Sequence, residues 1–450
     1  MKENRKGWLI FAIYLATFMT AIESTIVVTA VHAISVSLNS TQATSLIFSV
    51  YLFSSAVATP VFGRFADRYG KKRIFQLGLL LFLIGTTLCG AAPSVEVLIA
   101  ARIIQGIGAG GIMPMTFALI GELFDLETRG KVMGLNNSAW GIASLVAPLL
   151  GGFLLEQLSW HWIFLINVPI AIVVLIILQL FYHEHNIIEG KVRFAELRQQ
   201  GLLVLGLILL LLGIQYTASS ALIGTGILIA GLVYLLIFYR NQKKQDNPVI
   251  PVETLGIGGF RLLVSSIFLI NGALIGFQVY LPLWVQTELA MSSTKAGLAL
   301  LPSSVFFIIG SYYSGKLANI FGKGRMLVGV VALSIVGFVL LGILPGTTSY
   351  MILLVLSSLL GFTIGTSVTI SVISAQAYAT NQNLSTVSGF ITLCRTLGQS
   401  FMITFLGTIY QGVYRSTGVT LVGYHYVYFT VSIIFVLLIM IVIANRRQLE

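Results

Sequence analysis

The stretch MTAIESTIVV, residues 19–28, sets Glu23 in an otherwise apolar run, and LIAARIIQGIGAGG, residues 98–111, does the same with Arg102. An ionised group in apolar surroundings is costly unless it meets an opposite charge or, for an acid, takes up a proton. Glu23 is the acidic residue set clearly deep in such a run; Glu122 and Glu288 fall at the ends of runs, and Asp67 lies in the polar turn GRFADRYGKKR, residues 63–73. A deeply placed carboxyl that holds either a proton or a cation, but not both, can exchange one for the other. The plainer alternative is a static ion pair with Arg102, or an Arg102 that snorkels to the nearer surface and merely packs. Arg395, in TLCRTLG, is a second cation within an apolar run, able to hold backbone carbonyls or an anionic substrate.

Little else suggests chemistry. His183 and His185 flank Glu184 at the edge of an apolar run and read as solvated residues, so no metal site is expected. No G-x-x-x-x-G-K-[ST] phosphate loop occurs, which argues against ATP hydrolysis. The glycines of 106–111 imitate a dinucleotide fingerprint but sit inside an apolar run, where small residues instead permit close helix contact. No nucleophile, base or metal cluster gathers at one depth, so no enzyme and no cofactor are expected.

The elements that position these residues follow from composition. The chain has 450 residues, 57% of them hydrophobic and only 9% charged, with a mean hydropathy of +0.95. Soluble domains carry about 25% charge, so a large soluble enzyme is excluded. The net charge of +11 is scattered through short loops rather than clustered on a basic face, which excludes nucleic acid as a partner. Cys89 and Cys394 fall in apolar runs and are expected as free thiols. The first run is too long for a signal peptide, and Val31-His32-Ala33 is a poor cleavage site, so a retained helix is expected.

A bilayer-spanning helix takes about 20 apolar residues. Runs near 8–30, 43–62, 74–92, 96–120, 132–155, 161–182, 201–218, 221–239, 262–286, 296–315, 325–344, 350–374, 386–411 and 425–444 predict fourteen spans. With a cytoplasmic N-terminus, 22 of the 26 Lys and Arg fall inside, Lys295 and Arg415 fall outside, and Arg102 and Arg395 are intramembrane. That asymmetry satisfies the positive-inside rule and places both termini in the cytoplasm. By residue count, Glu23 and Arg102 each lie about 10 Å below the outer surface. HEHNIIEGKVRFAELRQQ, residues 183–200, reads as a surface-lying amphipathic helix.

The chain also repeats itself. GRFADRYGKKR at 63–73 matches GKLANIFGKGR at 315–325, with glycines at 63/315 and 70/322 and basic residues at 64/316, 71/323 and 73/325. Each copy follows the second helix of a six-helix group. The expected architecture is an all-α polytopic membrane protein: an N-terminal bundle over 1–182, two extra helices within 183–257, and a C-terminal bundle over 258–450. Paired halves with a site near the midplane are typical of secondary transporters.

At these residues a family resemblance emerges. GRFADRYGKKR resembles the loop signature of the major facilitator superfamily, G-x-L-A-D-R-x-G-R-K, and LIAARIIQGIGAGG resembles its fourth-helix signature, with Arg102 and Gly106 in place. GIASLVAPLLGG, residues 141–152, resembles the fifth-helix signature G-x-x-x-G-P-x-x-G-G of the superfamily's antiporters, with Ala147 replacing a glycine. WHWIFLINVPI, residues 160–170, is similar to the W-R-W-x-F-x-I-N-x-P segment of the fourteen-helix drug:proton antiporters, with His161 for arginine. AIESTIVVTA resembles that family's first-helix segment, with Glu23 for the usual aspartate.

The resemblance implies a bacterial cytoplasmic-membrane pump, monomeric, driven by the proton gradient and exporting lipophilic, often cationic drugs. It makes the first and fourth helices neighbours, so that Arg102 meets Glu23 and the two couple proton to cargo. It makes Asp67 and Arg68, with Lys71 facing Glu122, a conformational latch, with Ser385 and Thr386 near the helix start that would receive Asp67. Asn319 takes the aspartate's place in the second copy. Gly141, Pro148, Gly151 and Gly152 form the bendable antiporter helix. By helix position, Asn136, Asn137, Trp140, Phe277, Gln278, Tyr280, Trp284, Phe306, Tyr312, Tyr378 and Arg395 are candidates for an apolar, aromatic substrate cavity. The same fold exporting one endogenous metabolite, lipid or metal chelate is the alternative.

Overall fold

A computed structural model describes residues 3–38, 43–124, 126–183, 194–217, 220–245, 248–379 and 384–445. The surface helix expected at 183–200 falls mostly outside these residues. So do the side chains of Asp67, Arg68, Asn137, Trp140, Ser385 and Thr386, and Gly141.

The described chain is helical throughout. In order the helices are α1 (Glu3–Ser37), α2 (Ala43–Tyr69), α3 (Lys71–Gly90), α4 (Val95–Leu123), α5 (Leu126–Gln157), α6 (His161–Leu165), α7 (Asn167–Phe181), α8 (Phe194–Tyr216), α9 (Ala221–Gln242), α10 (Val252–Leu255), α11 (Gly258–Thr287), α12 (Ser293–Leu298), α13 (Leu301–Phe321), α14 (Lys323–Ile343), α15 (Tyr350–Gln376), α16 (Leu384–Thr417) and α17 (Thr420–Asn445). Twelve spans among the described residues are long and apolar enough to cross a membrane, so the expected fourteen are not reached on that measure. The two shortfalls are α5 and α16. Thr392, Arg395, Thr396, Gln399 and Ser400 interrupt the apolar residues of α16, and in α5 the described side chains are continuous only over Val146–Gln157, which is apolar. Helix α1 also runs to Ser37, two turns past its expected end.

The chain forms two compact units. Unit 1 comprises Met1–Leu197 and Ser292–Leu298; unit 2 comprises Arg198–Met291 and Ala299–Glu450. In unit 1, α4 is the central element, and its glycine run explains why. A Cβ on Gly106 would lie 2.9 Å from Ser54 Cβ and one on Gly110 2.8 Å from Ala58 Cβ, both on α2. On another face of α4, a Cβ on Gly108 would lie 2.7 Å from Phe82 Cα on α3. Small residues on two faces thus let two neighbours approach to backbone contact, the packing that association in lipid depends on. Unit 2 repeats the device: Gly361 and Gly365 of α15, again four residues apart, sit against the backbone of Ser303 and Phe307 on α13.

The repeat is also visible at two turns. Gly70 between α2 and α3 has φ 94°, and Gly322 between α13 and α14 has φ 82°. Both take a backbone conformation that L residues with a Cβ rarely adopt, which explains why the glycine recurs at 70 and 322.

Candidate functional site

Helix α4 begins at Val95 with Ser94 as its N-cap, its hydroxyl accepting from Val97 N. Two turns in, Arg102 and Gln105 share a face, three residues apart. The glycine run that follows brings α2 and α3 tightly against this helix, and both side chains are fully buried. Glu23, from the middle of α1, is fully buried as well.

These residues form one polar network inside unit 1. Arg102 Nη1 donates to Glu23 Oε1, forming an ion pair with no exposed side-chain surface on either partner. The same Nη1 donates to Gln105 Oε1 at 2.7 Å, and Arg102 Nε donates to the Ile47 carbonyl on α2 at 3.0 Å. The guanidinium lies 4.1 Å from the centroid of the Tyr51 ring and 5.6 Å from that of Phe164. Gln105 Nε2 donates to Thr86 Oγ1 on α3 at 2.9 Å, and the Thr86 hydroxyl donates to the Phe164 carbonyl at 3.1 Å. The Cys89 thiol points at Gln105 Oε1 from 3.7 Å. The second carboxylate oxygen, Glu23 Oε2, accepts from Asn167 Nδ2 at 2.6 Å.

A buried pair of opposite charges is tolerable only with such support, because the desolvation of each ion must be offset by its partner and by further hydrogen bonds. Here α1, α2, α3, α4 and α7 each supply a group. Two buried polar atoms of the network hold no hydrogen bond: Arg102 Nη2, a donor, and Asn167 Oδ1, an acceptor.

Asn167 and Gln105 were not singled out by sequence reasoning, although both lie in the quoted motifs. The usable signal for Gln105 was its place one helical turn beyond Arg102. For Asn167 it was a lone amide at the start of an apolar helix. That start is local chemistry: Pro169 lacks the N–H that would bond the Leu165 carbonyl, and the helix breaks at Ile166 between α6 and α7.

The other candidates are placed as follows. Lys71 Nζ lies 2.6 Å from Glu122 Oε2, and the Tyr182 hydroxyl donates to Glu122 Oε1 at 3.1 Å. On α5, Pro148, Gly151 and Gly152 are buried. A Cβ on Gly151 would press on Thr29 and Ile26 of α1, and one on Gly152 would lie 2.5 Å from Thr294 Cα on α12. The Thr17 hydroxyl donates to Asn136 Oδ1 at 2.7 Å, a further tie between α1 and α5.

In unit 2, Phe277, Tyr280 and Trp284 line one face of α11 and are buried. They join an aromatic cluster in which Trp284 stacks on Tyr424 at 6.1 Å, Tyr280 meets Tyr410 at 5.6 Å and Phe277 meets Phe338 at 6.4 Å. Gln278 is half-buried. Tyr378 packs edge-on against Phe260 at 6.3 Å. Phe306 is exposed, and Tyr312 is 81% exposed. Arg395 Nε donates to Asn271 Oδ1 at 3.0 Å, so a side-chain amide is one of its partners. The place that Arg102 takes in unit 1 falls to Ser357 in unit 2. Its hydroxyl donates to the Ala299 carbonyl at 2.7 Å, much as Arg102 does to Ile47.

Comparison with known proteins fits this architecture. The chain is 29% identical over 421 residues to "Multidrug resistance protein 3" of Bacillus subtilis, covering 92% of this chain and 81% of that one. It is 30% identical over 414 residues to "Multidrug efflux pump SdrM" of Staphylococcus aureus, covering 89% of each. Among solved structures, a peptide transporter POT in complex with sulfate superposes with a TM-score of 0.71 at 14% identity, covering 98% of this chain and 94% of that one. A bacterial homolog of the human lysosomal transporter Spinster superposes with a TM-score of 0.70 at 15% identity, covering 100% and 98%. The Major Facilitator Superfamily profile matches residues 13–403. On that match and on its many apolar spans, the chain belongs to the major facilitator superfamily and is a multi-pass membrane transporter, not an enzyme.

Proposed function

We propose that this protein is a proton-coupled antiporter that exports lipophilic, often cationic drugs and dyes by alternating access across a bacterial cytoplasmic membrane. Glu23 is the coupling carboxyl. Protonated from the outer side, it releases cargo; deprotonated toward the inner side, it attracts the next cation. The proton arrives from hydronium outside and leaves to water inside, so neither ATP nor a cofactor is needed. The chain works as a monomer in the lipid bilayer, with functional halves at 1–182 and 258–450 and an intervening segment over 183–257. Both termini face the cytoplasm.

The observation that carries the reading is the Glu23–Arg102 pair: a fully buried carboxylate held by one guanidinium at the centre of a polar network. Such a pair is weak support for stability alone, and a buried ionisable group within a membrane helix points to function. Cargo class is supported by relatives named as a multidrug resistance protein and a multidrug efflux pump. The aromatic cluster around Trp284 suits flat hydrophobic cations. Around the Lys71–Glu122 contact, Asp67, Arg68, Lys71 and Glu122 act as a latch on one conformation.

The test uses proteoliposomes with an imposed pH gradient and a cationic dye. Wild type drives uphill efflux, Glu23→Gln abolishes it, and Glu23→Asp retains much of it. Uphill efflux by the Gln variant at the wild-type rate removes Glu23 from the mechanism.

A further inference from the structure

We propose that Asn167 is a positioning residue for this exchange: its side-chain amide holds Glu23 in both protonation states by turning over. The inference rests on the reading of Glu23 as the coupling carboxyl. When Glu23 is ionised, both of its oxygens accept, one from Arg102 Nη1 and one from Asn167 Nδ2. When Glu23 gains a proton on Oε2, that oxygen becomes a donor and needs an acceptor. A buried O–H without one is strongly disfavoured.

The network contains few groups able to accept it. Arg102 has no acceptor atom. Gln105 is fully engaged: its Oε1 takes Arg102 Nη1 and faces the Cys89 thiol, and its Nε2 donates to Thr86. Turning that amide would set an NH2 group against a guanidinium. Thr86 already donates onward to the Phe164 carbonyl. Asn167 is different. Its Nδ2 holds Glu23 Oε2, and its Oδ1 is buried with no hydrogen bond at all. A half-turn about its terminal torsion exchanges Nδ2 for Oδ1 in nearly the same volume. It sacrifices only the bond being replaced. The carboxyl proton is then held by Oδ1, while Oε1 stays with Arg102.

Among the described residues, the titratable and charged side chains facing Glu23 are Tyr51 from α2, Cys89 from α3 and Arg102 from α4, with the amides of Gln105 and Asn167 beside them. Of the two amides, Asn167 is the one whose oxygen is buried without a hydrogen bond.

The experiment compares two modes of transport in proteoliposomes loaded with radiolabelled tetraphenylphosphonium: efflux driven by a pH gradient, and counterflow of labelled for unlabelled probe at equal pH. Counterflow needs binding and conformational change but no net proton exchange. Asn167→Leu, of similar volume, is expected to keep counterflow within threefold of wild type while gradient-driven efflux falls at least tenfold. Asn167→Gln, which keeps an amide, recovers at least a third of the driven rate. A merely structural role moves both modes together, and that result overturns the proposal, as does wild-type driven efflux in Asn167→Leu. If the leucine variant does not insert, Asn167→Ala takes its place with the same expectations. Glu23→Gln runs in parallel. If it pumps uphill, the reading of Glu23 fails; if it is inactive and Asn167→Leu is unaffected, only the role of Asn167 fails.

Discussion

A double-mutant cycle on Glu23 and Arg102 would measure how far the two depend on each other. Both side chains are fully buried, so replacing one strands the other as an uncompensated charge in a protein interior. Breaking a buried pair in this way costs about 3–5 kcal/mol. Glu23→Gln falls at the lower end, because glutamine still offers Arg102 an oxygen and Asn167 a neighbour. Arg102→Met falls at the upper end or beyond. It also removes the Nε bond to the Ile47 carbonyl and the face-on contact with Tyr51, the latter worth about 0.5–2 kcal/mol. The double variant strands neither charge. It is therefore expected to be less destabilised than the sum of the singles by about 3 kcal/mol. Reversible unfolding in mixed detergent micelles, followed by helical circular dichroism, gives the four stabilities. Additivity within about 0.5 kcal/mol would refute the reasoning, because it would mean that the two charges do not see each other in the folded protein.

Other expectations follow from particular contacts. Gly152→Val forces a side chain into the Thr294 backbone of α12 and should destabilise by about 1–3 kcal/mol. Gly226→Ala, in the interior of α9 with open space around it, should stabilise by up to about 1 kcal/mol; thermal unfolding in detergent separates the two. Gly70→Ala and Gly322→Ala each put a Cβ on a backbone with positive φ and extended ψ (94°, 140° and 82°, 142°) that L residues rarely adopt, costing about 1–3 kcal/mol apiece, and the two losses should add. The Lys71–Glu122 pair is about a third exposed, with side-chain accessibilities of 29% and 33%, so Lys71→Met should cost less than about 1 kcal/mol. A far larger change in transport rate than in unfolding midpoint would assign it to the conformational equilibrium. Just past the fifth span, hydrogen bonds from Thr294 and Ser292 hold the Glu156 carboxyl below its ordinary range. A group lowered on folding stabilises above its unfolded value and ceases to as pH falls through the folded one. The α5–α12 contact should therefore weaken on acidification, and Glu156→Gln should remove that pH dependence from hydrogen exchange at residues 292–298.

Much of this was legible in the sequence because each signal had one physical cause. Lipid demands long apolar helices, and Gly70 and Gly322 mark turns that a Cβ resists, so class and repeat could be read directly. The glycines of α4 announced close packing, although the division of faces between α2 and α3 needed coordinates. Glu23 and Arg102 stood out because charge is expensive where they lie. The amides around them did not, since Asn and Gln carry no such cost and hide among other polar residues. The expected fourteen spans are not confirmed: α16 carries polar side chains among its apolar ones, and much of α5 before Val146 lies outside the described side chains. Aromatic candidates chosen by helix position divided between the buried cluster of Phe277, Tyr280 and Trp284 and the exposed Phe306 and Tyr312, because apolar run length says nothing about which face of a helix looks inward.

The central claim is that one carboxyl exchanges a proton for cargo. Purified protein in weakly buffered detergent solution, mixed with excess tetraphenylphosphonium, tests it through a pH-sensitive dye. The account predicts proton release on binding by wild type and none by Glu23→Gln at matched occupancy; equal release from both proteins would contradict it.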